Sequence, residues 1–249
     1  MLETQNISKN FGGVQALREV SFTLNRNEIL GVIGPNGAGK TTLFNALSGT
    51  IAASSGKILF QDREITALSP QSRSRLGIMR TFQNLSLYSD LTLVENAILG
   101  ANAWSRPGLG DILNISRKSP EDVGREARDN LRAVGLANGG NKYPDNLSYG
   151  NQRKLEIARA LSGRPSLLLL DEPAAGLNNQ ESDELADLLL DIREKRGLTI
   201  LIIEHDMDVL MRVSDKVLVL MEGGLLAVDS PQNIQKDPRV VNAYLGEEI

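Results

Sequence analysis

An α/β protein built on a mainly parallel sheet is predicted from three observations. Residues 28–34, 166–171 and 198–203 are short, nearly unbroken apolar runs, the pattern of strands covered on both faces. Buried strands of this kind alternate with helical segments along the chain. The first run also ends in GPNGAGKT at 34–41, a glycine-rich turn that leads from a strand into a helix.

The elements follow in order. ETQNISKNF (3–11) and EVSFTL (19–24) alternate apolar and polar residues and read as strands of an antiparallel piece. EILGVIG (28–34) is a buried strand, and KTTLFNALSG (40–49) is a helix stopped by Gly49. GKILFQDREI (56–65) is a hairpin turning at Gln61–Arg63, and GIMRTFQ (77–83) is a further strand. TLVENAILGANAW (92–104) is helical, and SRPGLGDILN (105–114) is a loop punctuated by glycine and proline. Ser119-Pro120-Glu121-Asp122 opens a helix, with a cap, a proline at the first helical position and an acid three residues on. LSYGNQRKLEIARAL (147–161) is a loop running into a helix. SLLLLDEP (166–173) is a strand bounded by Pro165 and Pro173, QESDELADLLLDIREKRG (180–197) an amphipathic helix, and LTILIIEHD (198–206) a second apolar strand. KVLVLMEGGLLAVD (216–229) is a hairpin through Gly223–Gly224, with a helix near DPRVVNAYLG. From about Asn84 to Gly163 no buried strand appears, so this stretch is expected to be a helical insertion in the α/β core. The whole is read as one domain, 1–249, without repeats or low-complexity segments.

The chain has 249 residues, 41% apolar and 23% charged, with net charge −4. The acidic balance argues against nucleic acid as a partner, which usually meets a basic stripe. No cysteine is present, so disulfides and thiolate metal sites are excluded, and a single histidine leaves little scope for a histidine-rich one. The start, MLETQNISKNF, places acid and polar residues where a secretory signal is apolar. The apolar runs are far shorter than the ~20 residues of a spanning helix, so any work at a membrane needs spans from another chain.

The chemistry concentrates at strand ends. In Gly34-Pro35-Asn36-Gly37-Ala38-Gly39-Lys40-Thr41, followed by Thr42, the glycines let backbone N–H groups turn inward on a phosphate. Lys40 places a positive charge on the β- and γ-phosphates and Thr41 offers a hydroxyl to Mg²⁺. Asp171 and Glu172 follow four leucines. Adjacent residues of a strand point oppositely, so Asp171 suits the Mg²⁺ shell while Glu172 suits the base that deprotonates the attacking water. His205 ends the second apolar run and could reach the γ-phosphate or that water. Gln83 could report on metal or water, or be an ordinary surface glutamine. Phe11, before Gly12-Gly13, could stack on a purine or lie in the core. Ser148, Gly150 and Gln152 open a helix whose unpaired N–H groups form a second anion site. A guanine-reading N-K-x-D is absent: in NKYPD (141–145) the Asp comes one place too late.

GPNGAGKT, LSYGNQRKLEIARAL, LLLLDEP and EHD, in this order, resemble the ATP-binding-cassette family nearly end to end. The resemblance implies a P-loop nucleotide-hydrolase fold, with a RecA-like mainly parallel core, an antiparallel β subdomain and a helical insertion. It implies ATP and Mg²⁺ as cofactors. It also answers why one chain carries two anion sites: two subunits pack head to tail, and Ser148, Gly150 and Gln152 of one close over ATP held by the P-loop of the other. By the same resemblance Phe11 is the adenine-stacking aromatic. Gln83 is the lid glutamine that touches metal and couples to a membrane partner, and His205 is the switch histidine. Asn178 stands where the family usually has Asp, and Tyr149 where it usually has Gly. Within the family, RTFQ, DEPAAGLN, IEHDM and RVVNAYLGEE resemble ATPase subunits of bacterial branched-chain amino acid importers; urea or amide importers and a lipopolysaccharide-export ATPase are near. The implied partners are a second ATPase subunit, two transmembrane permease subunits and, indirectly, a substrate-binding protein, at the cytoplasmic face of the inner membrane. A DNA-acting mechanochemical ATPase is the rival. The stretch between Lys40 and Ser148 lacks the sustained heptads of its coiled coils.

Overall fold

The computed structural model describes residues 1–81, 85–101 and 119–245. The chain opens with two long strands, β1 (Leu2–Phe11) and β2 (Val14–Leu24). It passes through β3 (Ile29–Ile33) and α1 (Lys40–Ser48) and returns as β4 (Ser55–Phe60) and β5 (Arg63–Glu64). These strands except β3 form one antiparallel sheet in the order β2-β1-β4-β5. The β4–β5 turn rests on Gln61 and Asp62, with φ of 51° and 64°. Such a left-handed pair matches the twist of a tight hairpin.

Five further strands are β6 (Ile78–Arg80), β7 (Leu167–Asp171), β8 (Thr199–Ile203), β9 (Lys216–Met221) and β10 (Gly224–Asp229). They join β3 in a six-stranded sheet of order β10-β9-β3-β8-β7-β6, parallel throughout except for the β9–β10 hairpin. Every residue of β3, β7 and β8 is buried. Leu168, Leu170, Ile200 and Ile202 enter one apolar cluster and Leu167, Leu169, Leu201 and Ile203 the other. The pleat sends alternate side chains to opposite faces, and both faces are covered, which is why these strands read as unbroken apolar runs.

Helix α2 (Pro70–Arg75) precedes β6. Its Arg73 is 1% exposed and donates to Ala46 O and Leu47 O at 2.6 and 2.7 Å, and to Thr66 O and Leu68 O. A guanidinium therefore satisfies carbonyls at the C-terminal end of α1, where unpaired acceptors and the negative end of the dipole lie. Burial lowers its pKa to about 10.

Between β6 and β7 the described residues form helices only: α3 (Leu93–Ala101), α4 (Pro120–Ala133), α5 (Tyr149–Ser162) and two short 3₁₀ turns. Ser119 and Asp122 form the expected capping box on α4. These helices share the cluster of Leu168 and Ile200 through Leu93, Ala97, Leu131, Leu155 and Leu161. The chain continues with α6 (Asn179–Arg196), α7 (Met207–Val213), α8 (Pro231–Ile234) and α9 (Pro238–Leu245). Helices α2, α7 and α8 are additions to the sequence reading. The strand expected over 77–83 stops at Arg80, with one further bond from Thr81 N to Leu169 O. The expected loop at 105–114 lies outside the described residues. No described helix is long and apolar enough to cross a membrane.

Candidate functional site

The sheet register brings the strand ends together. Val32 of β3 and Asp171 of β7 both pair with Ile203 of β8, so the three residues lie on one line across the sheet. Beyond that line the chain leaves β3 as the glycine-rich loop, β7 as Glu172, and β8 as Glu204 and His205. Ligands of open α/β sheets bind at this carboxyl edge.

The loop from Gly34 to Gly39 is shaped by its glycines. Gly37 and Gly39 have φ of 79° and 101°. A Cβ on Gly39 would lie 2.5 Å from Ala16 O, so both conformation and space require glycine there. Lys40 is 8% exposed, and its Nζ donates to Gly34 O and, at 3.0 Å, to Pro35 O. The ammonium thus closes the loop around a centre that suits phosphate oxygens. Ala38 is buried, Asn36 and Gly37 are exposed, and at the start of α1 Thr41 is exposed and Thr42 partly buried. The first turn of α1 carries no acidic side chain to oppose an anion. The loop is also tied to the antiparallel sheet: Gly223 N donates to Ala38 O at 3.1 Å, and Arg18 N to Gly223 O at 2.7 Å.

Asp171 is buried at the end of β7, and its Oδ2 accepts from Arg80 at 2.7 Å. Arg80 reaches Asn45 Oδ1 and Ser48 Oγ of α1 with its other nitrogen. A single guanidinium therefore links β6, β7 and the helix of the phosphate loop. Sequence reading missed Arg80; its one signal is a cation within a short apolar strand.

Glu172 adopts φ 48°, a left-handed conformation unusual for a residue with a side chain. Its N–H donates to Ile203 O at 2.9 Å, which anchors it to β8. Its Oε1 lies 2.9 Å from Nε2 of His205, whose side chain is 53% exposed. The structure thus brings Glu172 and His205 into direct contact. A carboxylate held by an imidazole at an open strand end can accept a proton from a bound water.

Ser148 caps α5, accepting from Asn151 N. The first turn holds no acid. Gly150 is buried beside Glu181, and the Gln152 amide donates to Pro144 O at 3.2 Å. Helix α5 packs on α3, α4 and β6, and α1 packs on β2, β6 and β7, so β6 lies against both helices. Tyr149 lies against Gly176 and accepts from Arg153. Phe11 is 49% exposed at the end of β1, with Lys9 Nζ 4.9 Å from its ring centre, so the core reading is not the one adopted. Gln83 lies outside the described residues. Beside β6, a cleft of about 430 Å³ is lined by Arg80, Thr81, Ser86, Tyr88, Glu156 and Arg159.

A parallel sheet with a lysine-closed glycine loop, and with a carboxylate and an imidazole at neighbouring strand ends, defines a P-loop nucleotide hydrolase. The chain belongs to the ABC transporter family, whose model matches residues 17–175. It is 40% identical over 251 residues to the high-affinity branched-chain amino acid transport ATP-binding protein LivG of Escherichia coli strain K12, with 99% of this chain and 98% of that protein covered. A solved ATP-binding cassette of an ABC transporter in its ADP conformation is 32% identical, with a TM-score of 0.88 over 99% of each chain. A dimeric bacterial ABC transporter cassette is 25% identical, with a TM-score of 0.78 over 93% of this chain and 99% of that one. The protein is accordingly an ATP-binding, ATP-hydrolysing subunit of this family.

Proposed function

We propose that this chain powers import of branched-chain amino acids as one of two ATPase subunits bound to two permease subunits, at the cytoplasmic face of the membrane. A substrate-binding protein acts on the outer side, and nucleic acid is not a partner. The near full-length likeness to the LivG importer subunit supports the substrate class. The observation that carries the mechanism is the 2.9 Å contact between Glu172 and His205, one strand away from the Lys40 loop.

In this reading Gly34–Thr42 cradle the phosphates of ATP and Phe11 stacks on the adenine. Glu172 accepts a proton from the water that adds to the γ-phosphorus, as the bond to the ADP oxygen breaks. His205 holds the carboxylate in place. Mg²⁺ fits the donors present: the Thr41 hydroxyl and Asp171 carboxylate are hard oxygen ligands. They are too few to hold an ion alone, as suits one that arrives with phosphates. When bound, the ion neutralises charge developing on the phosphate. Gln83 is the third expected contact. The dimeric relative supports a head-to-tail pair in which Ser148, Gly150 and Gln152 complete the partner's site. We assign residues 84–163 as the helical subdomain and the cleft at Arg80 and Arg159 as the permease contact.

Glu172→Gln tests the mechanism. The amide cannot take the proton, so ATP binding should persist while turnover falls by about 100-fold or more. Turnover within a few-fold of the parent would remove Glu172 from the role of base.

A further inference from the structure

We propose that Glu204 is a positioning residue for hydrolysis: its carboxylate clasps the loop that follows Glu172 to the loop that carries His205. The proposal rests on the reading that Glu172 and His205 carry the reaction.

Glu204 stands at the end of β8 and is 3% exposed. Its Oε1 accepts from Ala174 N at 2.5 Å, and its Oε2 accepts from His205 N at 3.1 Å and Asp206 N at 3.4 Å. One carboxylate therefore serves backbone donors of both loops. The loops meet a second time where Glu172 N donates to Ile203 O at 2.9 Å. The side-chain contact between Glu172 and His205 joins the same two loops that these ties hold together.

Core filling does not account for an acid at this place. Among the described residues no cation pairs with Glu204, and burial pushes its carboxyl up to about 7. An apolar residue after Ile203 would incur no such desolvation, but it could accept no bond from Ala174 or His205. What the carboxylate adds is a fixed distance between the two loops. Displacement of a reacting group by about 1 Å can cost about 100-fold in rate, which is the scale on which such a clasp matters.

The test is a mutant cycle on the purified full chain with Mg²⁺ and ATP. Glu204→Gln keeps the shape but loses one acceptor oxygen, and Glu204→Ala loses both. We expect kcat to fall by about tenfold and about 100-fold respectively, with KM for ATP within about twofold. In a His205→Ala background the further loss from Glu204→Gln should shrink below about threefold, because the distance being held no longer serves a side chain. A loss of full size in that background, or none in the parent, overturns the proposal.

A second readout does not depend on activity. His205 is the only histidine in the chain, so its imidazole gives one unambiguous magnetic resonance signal. In Glu204→Gln that signal should move toward its position in Glu172→Gln; a signal unchanged from the parent overturns the clasp, even if Glu204→Ala fails to fold. Normal turnover in Glu172→Gln would sink the hydrolysis reading instead. An inactive Glu172→Gln beside a Glu204→Gln of parental rate and signal sinks only the clasp.

Discussion

At the scale of single residues, His205 is half exposed and touches the Glu172 carboxylate rather than the core. His205→Ala should therefore cut turnover far more than nucleotide affinity, with little change in melting temperature; equal losses in rate, affinity and stability would mark it as structural. Glu204 gives a pH prediction. Its folded-state pKa, about 7, lies above the ordinary value of 4.5. The folded chain then holds more protons than the unfolded one between pH 4.5 and 7, so this group's contribution to stability is fullest below pH 4.5 and is lost as pH rises through 7. Melting temperatures measured from pH 5 to 8 should fall more steeply for the parent than for Glu204→Gln; parallel curves would contradict the buried carboxyl. Asp206 contributes to the upward shift as a neighbouring negative charge.

At the scale of elements, Asn178 makes a full capping box on α6, its side chain accepting from Glu181 N at 3.0 Å. The family's usual Asp would do the same work, so Asn178→Asp should leave stability within about 0.5 kcal/mol, and Asn178→Ala should cost about 1 kcal/mol in denaturant unfolding. Strands β3, β7 and β8 were legible because burial on both faces leaves an unbroken apolar run. The loop of 34–41 was legible because its glycines and lysine fall at fixed spacing between a buried strand and a helix, and Asp171 and Glu172 because they end an unbroken apolar run. Helices α2 and α8 were not: PQSRSR and PQNI have no apolar period and are held by Ser69 and Ser230 caps. Arg80 and Glu204 were missed for another reason. Each works through a partner far away in sequence, Arg80 through Asp171 and Glu204 through Ala174, and only sheet register makes those neighbours.

At the scale of the whole molecule, the two anion sites test the head-to-tail pair. A substitution at Gly150 is compromised because a Cβ there would lie 2.8 Å from Glu181 Oε1. Ser148→Asp is cleaner: aspartate still caps α5 but brings negative charge to the face that meets the γ-phosphate in the proposed pair. Lys40→Ala and Ser148→Asp should each be nearly inactive. Mixed in equal amounts and allowed to exchange subunits, they should recover up to about a quarter of parental ATPase activity, since a two-fold dimer of one of each holds one intact site. Recovery of nothing, with mixed dimers shown to form, would contradict shared sites in a homodimer. If two different ATPase chains pair, the second substitution belongs in the other chain.

The apolar cluster that joins α3, α4 and α5 to one face of the parallel sheet also governs how the molecule comes apart. Leu93, Leu131 and Leu155 pack in the same cluster as Leu168 and Ile200. Leu185, Leu189 and Ile192 of α6 join the same cluster, so loss of the insertion would leave that sheet face only partly covered, and loss of the sheet would leave three helices without their apolar support. Calorimetry should accordingly show one melting transition. Amide protons of α5 and of β7 should exchange with solvent at similar free energies, as members of a single cooperative unit.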